Sequence, residues 1–250
     1  MSDVSGASQK PHNDLVLSFL AVRRAIGGLG YFLPVALLIH GLFAPGGIPG
    51  SLSLSYYTPM REIFVGTLCA QAGFLWSYEG FRPGKGEAIS DKLTARVASV
   101  AVLLVALCPT SLTDKAPDPM ASGQVAAAAA GDCTLLQCVL GEGLASILHV
   151  IAAGVFFAAL AVYCLVLFVR GKVDGPEKAA SNRIYRICGW TIVVSIGLIG
   201  LLFLTELDEA LAGLRPVFWL EGVATFAFAT SWSVKGDALR PLVRMMTRSA

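Results

Sequence analysis

The sequence predicts an all-α, polytopic membrane bundle of six transmembrane helices with both termini on the cytoplasmic side. Three observations carry that prediction. Of 250 residues, 55% are apolar and only 14% charged, with a mean hydropathy of +0.68; a soluble domain carries about a quarter charged residues. The apolar residues gather in runs of about 20, the helical crossing length, and do not alternate as barrel strands do. Hydrocarbon offers no water to unpaired N–H and C=O groups, so such runs must be helical. Third, Lys and Arg fall on one side of those runs.

Residues 1–24 read as a polar tail and a short interfacial segment, in which Leu15 to Leu20 meets Arg23 and Arg24. No small-residue cleavage site follows, which argues against a signal peptide. The transmembrane domain covers 25–235. Its first span, 25–43, holds Pro34 as a soft break and ends in APGGIPG. The second, 59–80, opens on Thr58 as N-cap and Pro59 as first helical residue, with Glu62 in the dipole-favoured first turn. The third, 94–112, carries Pro109 near its end, and the fourth, 143–169, is long enough to require tilt. The fifth and sixth are 187–205 and 216–234, and a basic tail, 236–250, follows.

In the second span Glu62, Gly66, Ala70, Gly73 and Ser77 recur at helical spacing. Small residues mark close helix approach in lipid, and ionisable ones turn inward. This helix is therefore expected at the centre of the bundle, with that face inward.

Orientation follows from charge. The tail, the second and fourth inter-span loops and the C-terminus, with the helix ends beside them, hold 16 of the 19 Lys and Arg residues; the opposite side holds only Arg61, Lys115 and Arg215. By the positive-inside rule both termini are cytoplasmic. A net charge of +2 gives no reason to expect nucleic acid.

Placed by depth, His40, Tyr57, Arg61, Glu62, His149 and Glu221 all belong to the outer half of the bundle or its interface. They are the candidate polar pocket. Each also has a simpler role. Tyr56 and Tyr57 fit an aromatic belt, Arg61 an interface anchor, and a lone His in a span a hydrogen-bonded packing residue. Glu206, Asp208 and Glu209 fit a solvated acidic turn. Glu221 lies between apolar neighbours in WLEG and calls for a partner (His40, His149 or Arg61) or a water-filled cavity. The inner halves of the spans read as nearly bare of polar groups.

No metal is expected. If one were present, His40, His149 and Glu221 would supply a His2Glu zinc set with Glu62 as base, but no H-E-x-x-H spacing brings them together. No G-x-S-x-G setting or phosphate-binding glycine loop is present either. In the longest outer loop, which contains QVAAAAAGD, Cys133 and Cys138 form a C-x4-C pair that could close a disulfide or remain two thiols. The remaining cysteines read as packing residues.

The segments SLSLSYYTPMREIFVGTLCAQAGFLWSYEG, ASILHVIAAGVFFAALAV and NRIYRICG…FWLEGVATFAFATSWSVKG resemble a group of uncharacterised bacterial six-helix membrane proteins. That resemblance implies the bacterial inner membrane but no activity. The pattern His149, Ala153, Phe156 is similar to Frag/DRAM-like six-helix proteins, some of which are linked to lipid remodelling or trafficking. Ceramidase and adiponectin-receptor hydrolases need three histidines and an aspartate; this chain has three histidines in all, and His12 is in the tail. The expected function is binding of a membrane lipid or small ligand in the outer pocket. The alternatives are a metal-dependent lipid hydrolase and a proton-coupled transporter using Glu62 and Glu221.

Overall fold

The computed structural model describes residues 5–81, 89–111 and 133–248, and among them every regular element is helical. The helices are α1 (Ser5–Phe43), α2 (Arg61–Trp76), α3 (Asp91–Leu107), α4 (Leu135–Leu140), α5 (Glu142–Val162), α6 (Pro176–Leu204), α7 (Leu207–Ala210), α8 (Pro216–Lys235) and α9 (Arg240–Arg248). A π turn, Tyr163–Leu167, extends α5, and a 3-10 turn, Ser53–Tyr57, lies ahead of α2.

Six of these helices close a ring. α1 packs on α2, α2 on α3, α3 on α5, α5 on α6, α6 on α8, and α8 back on α1. Neighbours run antiparallel, so the ring has two ends. One gathers residues 44–60, 108–111 and 133–141 with the α6–α8 connection, and is the loop end. The other gathers the start of α1, residues 77–81, 89–90 and 168–175 and the end of α8, and is the basic end.

Among the described residues, three helices are long and apolar enough to cross a membrane: 19–43 of α1, 142–167, and α6. α2 and α3 have 16 and 17 residues, which at 1.5 Å each is about 24 and 26 Å, less than the ~30 Å hydrocarbon thickness. α8 has 20 residues but is interrupted by Glu221 and several Ser and Thr.

Two boundaries differ from the sequence reading. α1 runs unbroken through Pro34, so the interfacial segment and first span are one helix; Pro34 removes a single N–H, and packing on α2 and α8 absorbs that loss. α2 starts at Arg61, because Thr58 and Pro59 belong to a turn. The Thr58 hydroxyl donates to Ser55 O (2.8 Å) and accepts from Met60 N (3.1 Å), which holds the chain short of helical geometry.

The inward face of α2 is also reversed. Phe64, Thr67, Leu68, Gln71, Ala72 and Leu75 are buried, whereas Glu62, Gly66, Ala70, Gly73 and Ser77 are exposed. A Cβ on Gly66 or Gly73 would meet nothing within 4 Å. The larger side chains fill the ring and set the phase of the helix. α2 is one stave among six, and α8 is the more deeply embedded helix, with Phe228, Ser231 and Trp232 almost wholly covered. Close approach occurs where α1 meets α8: a Cβ on Gly27 would come within 2.5 Å of Ser233 Oγ.

Candidate functional site

At the loop end, side chains hold backbone. α3 stops at Cys108 because Pro109 follows, which leaves its last carbonyls without intrahelical partners. His149, about two turns into α5 and 4% exposed, takes up the Cys108 carbonyl with Nδ1 at 2.6 Å. A carbonyl only accepts, so Nδ1 carries the proton and Nε2 accepts from the Ser53 hydroxyl at 2.9 Å. Tyr57 donates to Thr110 O (2.6 Å) and accepts from Gln137 Nε2 (3.1 Å). Ser146 Oγ accepts from Ser111 N at 3.0 Å. Burial pushes the Tyr57 phenol up to about 12.

Glu221 finds its partner in the same turn. Its Oε2 accepts from Leu52 N at 2.6 Å, while Gly50 O accepts from Phe218 N at 3.1 Å near the start of α8. Thus His149 and Glu221, from different helices, grip the adjacent residues Ser53 and Leu52. The 50–57 segment is drawn into the mouth of the ring, with Leu52, Ser55 and Tyr56 buried.

Beneath it lies a cavity of about 60 Å3. Its polar lining is Ser53, Thr67, Gln71, Glu221 and Thr225; Phe64, Phe156 and Phe228 contribute to its apolar walls. Gln71 is 3% exposed, and its Nε2 has no hydrogen-bond partner among the described residues. On α8 the residues Glu221, Thr225, Phe228 and Trp232 follow at helical spacing, so one face runs from the cavity into the aromatic core.

The other predicted site residues fall elsewhere. Arg61 lies over the Tyr56 ring (4.5 Å to the centroid) and donates to its hydroxyl at 3.0 Å. Glu62 is exposed on the outer face of α2, and neither it nor the half-buried His40 lines the cavity. Among the described residues no three His, Cys, Asp or Glu side chains group so as to hold a metal ion. In His149 both ring nitrogens are already engaged. Cys133 and Cys138 are joined in a disulfide beside α4, which is N-capped by Thr134 in a reciprocal pair with Gln137. The alanine-rich stretch before Cys133 lies outside the described residues.

The basic end is not bare, contrary to the sequence reading. Arg23 is 6% exposed, with its guanidinium 4.0 Å from the Phe19 ring centroid and donating to Tyr78 OH at 3.2 Å. Arg24 Nε donates to Gly236 O at 2.7 Å, holding the end of α8. Asp91 is buried, and its Oδ2 accepts from Phe81 N at 3.2 Å across a turn in which Gly80 has φ +61°. The Tyr163 hydroxyl donates to Asp91 O. Lys235 Nζ sits 5.2 Å from the Phe168 ring and 5.3 Å from Phe81. At the centre Trp232 packs edge-on against Tyr78, Tyr163 and Phe168, at 4.9, 5.1 and 5.3 Å. The legible signal was the spacing of Phe19 and Arg23, one helical turn apart, which seats a guanidinium on a ring.

Compared with known proteins, the chain matches no family model, no curated protein and no solved structure.

Proposed function

We propose that this is a six-pass protein of a bacterial inner membrane, with both termini cytoplasmic, that binds a small molecule in the loop-end cavity. The six crossings rest on the closed ring: helices too short by themselves, α2 and α3, stand between the longer α1 and α5, and turns extend α2 at each end. The orientation rests on the excess of Lys and Arg at the basic end. A reporter active only outside the cytoplasm should work when fused after Gly123, and be silent when fused after Gly175 or at the C-terminus. The reverse pattern contradicts the orientation.

The ligand reading rests on one observation. Gln71 places a buried amide N–H, unpartnered among the described residues, against a cavity whose wall also carries Glu221. Burying such a donor costs about 1–3 kcal/mol unless something accepts from it. About 60 Å3 is far below the ~300–1,000 Å3 of drug-sized sites, and suits about two waters or a solute of a few heavy atoms. A whole lipid does not fit, which narrows the expectation to a small solute carrying a hydrogen-bond acceptor. The hydrolase alternative loses support because the ligand set His40, His149 and Glu221 is not grouped. Transport would need a path past the rings packed around Trp232.

The test uses protein in nanodiscs with side-chain ¹⁵N-labelled glutamine, the Gln71 signal being assigned by its loss in Gln71→Leu. Titrating acetamide, whose carbonyl accepts from an amide, should shift that signal. A Gln71 signal that responds to no small carbonyl or hydroxyl solute, while exchanging freely with water, contradicts ligand binding and leaves a hydrated cavity.

A further inference from the structure

A second site lies on the outside of the ring, independent of the cavity. A groove of about 990 Å3 runs along α6 and against the first turns of α8. On α6 its floor follows Arg183, Arg186, Trp190, Val194 and Leu198, and on α8 Leu220 and Val223 form the opposite wall. From Arg183 to Leu198 is about 22 Å at 1.5 Å per residue, longer than one ~15 Å hydrocarbon leaflet. The groove is therefore apolar along most of a leaflet and cationic at the basic end.

Three features decide what fits. Arg183 and Arg186 are exposed, one turn apart, and neither has an ion-pair partner among the described residues. Paired guanidinium groups suit a phosphate, which their planar donor forks can bind in a bidentate manner. Asn182 lines the same groove at 6% exposed, yet its side-chain Oδ1 has no hydrogen-bond partner among the described residues. A buried amide oxygen at a phosphate site asks for a donor adjacent to that phosphate. Below them Trp190 is 60% exposed at the depth where a ring meets glycerol and upper acyl chain.

The geometry points to a binding site for a glycerol-headed anionic phospholipid. Its phosphate lies on Arg183 and Arg186, its headgroup hydroxyl donates to Asn182, and one acyl chain runs along Trp190, Val194 and Leu198. Charge complementarity selects this occupant over a zwitterionic lipid, whose ammonium would lie against the two arginines. It also selects it over a second copy of this chain, which would bring another arginine pair to the same face in a symmetric contact.

The experiment is native mass spectrometry of protein released from nanodiscs of phosphatidylcholine and phosphatidylglycerol mixed 1:1. The wild type should retain one phosphatidylglycerol in preference to phosphatidylcholine. The exposed double variant Arg183→Gln/Arg186→Gln should lose that preference by roughly tenfold. Asn182→Leu should keep anionic selectivity but no longer distinguish phosphatidylglycerol from phosphatidic acid of the same chain length. A purely structural asparagine would not change that choice between headgroups. Equal retention of the two lipids by the wild type, an unchanged preference in the arginine variant, or a dimer that excludes lipid from this face each overturns the proposal.

Discussion

The two ends of the ring meet one requirement by opposite means. Where helices stop inside or beside a bilayer, backbone groups lose their partners and must find others. At the loop end His149, Glu221 and Ser146 reach from the staves, and Tyr57 from the 3-10 turn, to hold backbone of Leu52, Cys108, Thr110 and Ser111. At the basic end Arg24 holds the closing carbonyl of α8, and Arg23 and Lys235 rest on aromatic rings. Directed hydrogen bonds need particular atoms in place and leave space around them, and the cavity lies there. Rings fill space and tolerate small shifts. The loop end is thus the specified end, with the cavity beside its hydrogen bonds, and the basic end the packed one.

The sharpest way to break this contrast is at His149. His149→Leu removes both of its bonds and strands the Cys108 carbonyl and Ser53 hydroxyl, so unfolding in bicelles should show a loss of about 2–4 kcal/mol. A loss below about 0.5 kcal/mol, the scatter of surface changes, would mean the clamp contributes little. At Glu221 the two substitutions should separate. Glu221→Gln retains an oxygen for Leu52 N and should cost about 1 kcal/mol or less, whereas Glu221→Leu should cost about 2.

The basic end should respond to shape rather than charge. Arg23→Lys preserves the cation but loses the flat stack on Phe19 and the fork toward Tyr78, and should cost about 1–2 kcal/mol in the same assay. Full tolerance would show that charge alone suffices there.

These effects were unevenly legible in the sequence. The six apolar runs fall on the six ring helices because a long apolar run in lipid has little choice but to be helical. Glu221 stood out because a carboxylate between Leu220 and Gly222 needs a partner. Its actual partner, a backbone N–H, leaves no trace in a list of charged residues. The phase of α2 was misread because its exposed face is largely small or apolar, with Ile63, Phe74 and Trp76 on it, so it lacks the polar face that orients a soluble helix. Glycines then seemed the best guide, but the ring is filled by Phe64, Leu68 and Leu75. Lys235 was hidden by its own ordinariness: at a span end a basic residue reads as an anchor, and only the fold places it over a ring.

A smaller effect concerns pH. Tyr57 has its phenol raised by burial to about 12, against an unfolded value of about 10. The neutral phenol is favoured in the folded chain, so its contribution is intact below about pH 10 and is lost as pH rises toward 12. Unfolding measured across that window should show a step in the wild type that Tyr57→Phe flattens. An equal step in both proteins would assign it to another group.

The account turns on His149 and Glu221 acting on one turn from two helices, and a double-mutant cycle measures that directly. With His149→Leu, Glu221→Leu and the double variant unfolded in the same bicelles, the predicted coupling is about 1 kcal/mol or more, because freeing Ser53 also loosens the adjacent Leu52. Strict additivity, with the double variant losing the sum of the two single losses, would contradict the shared clamp.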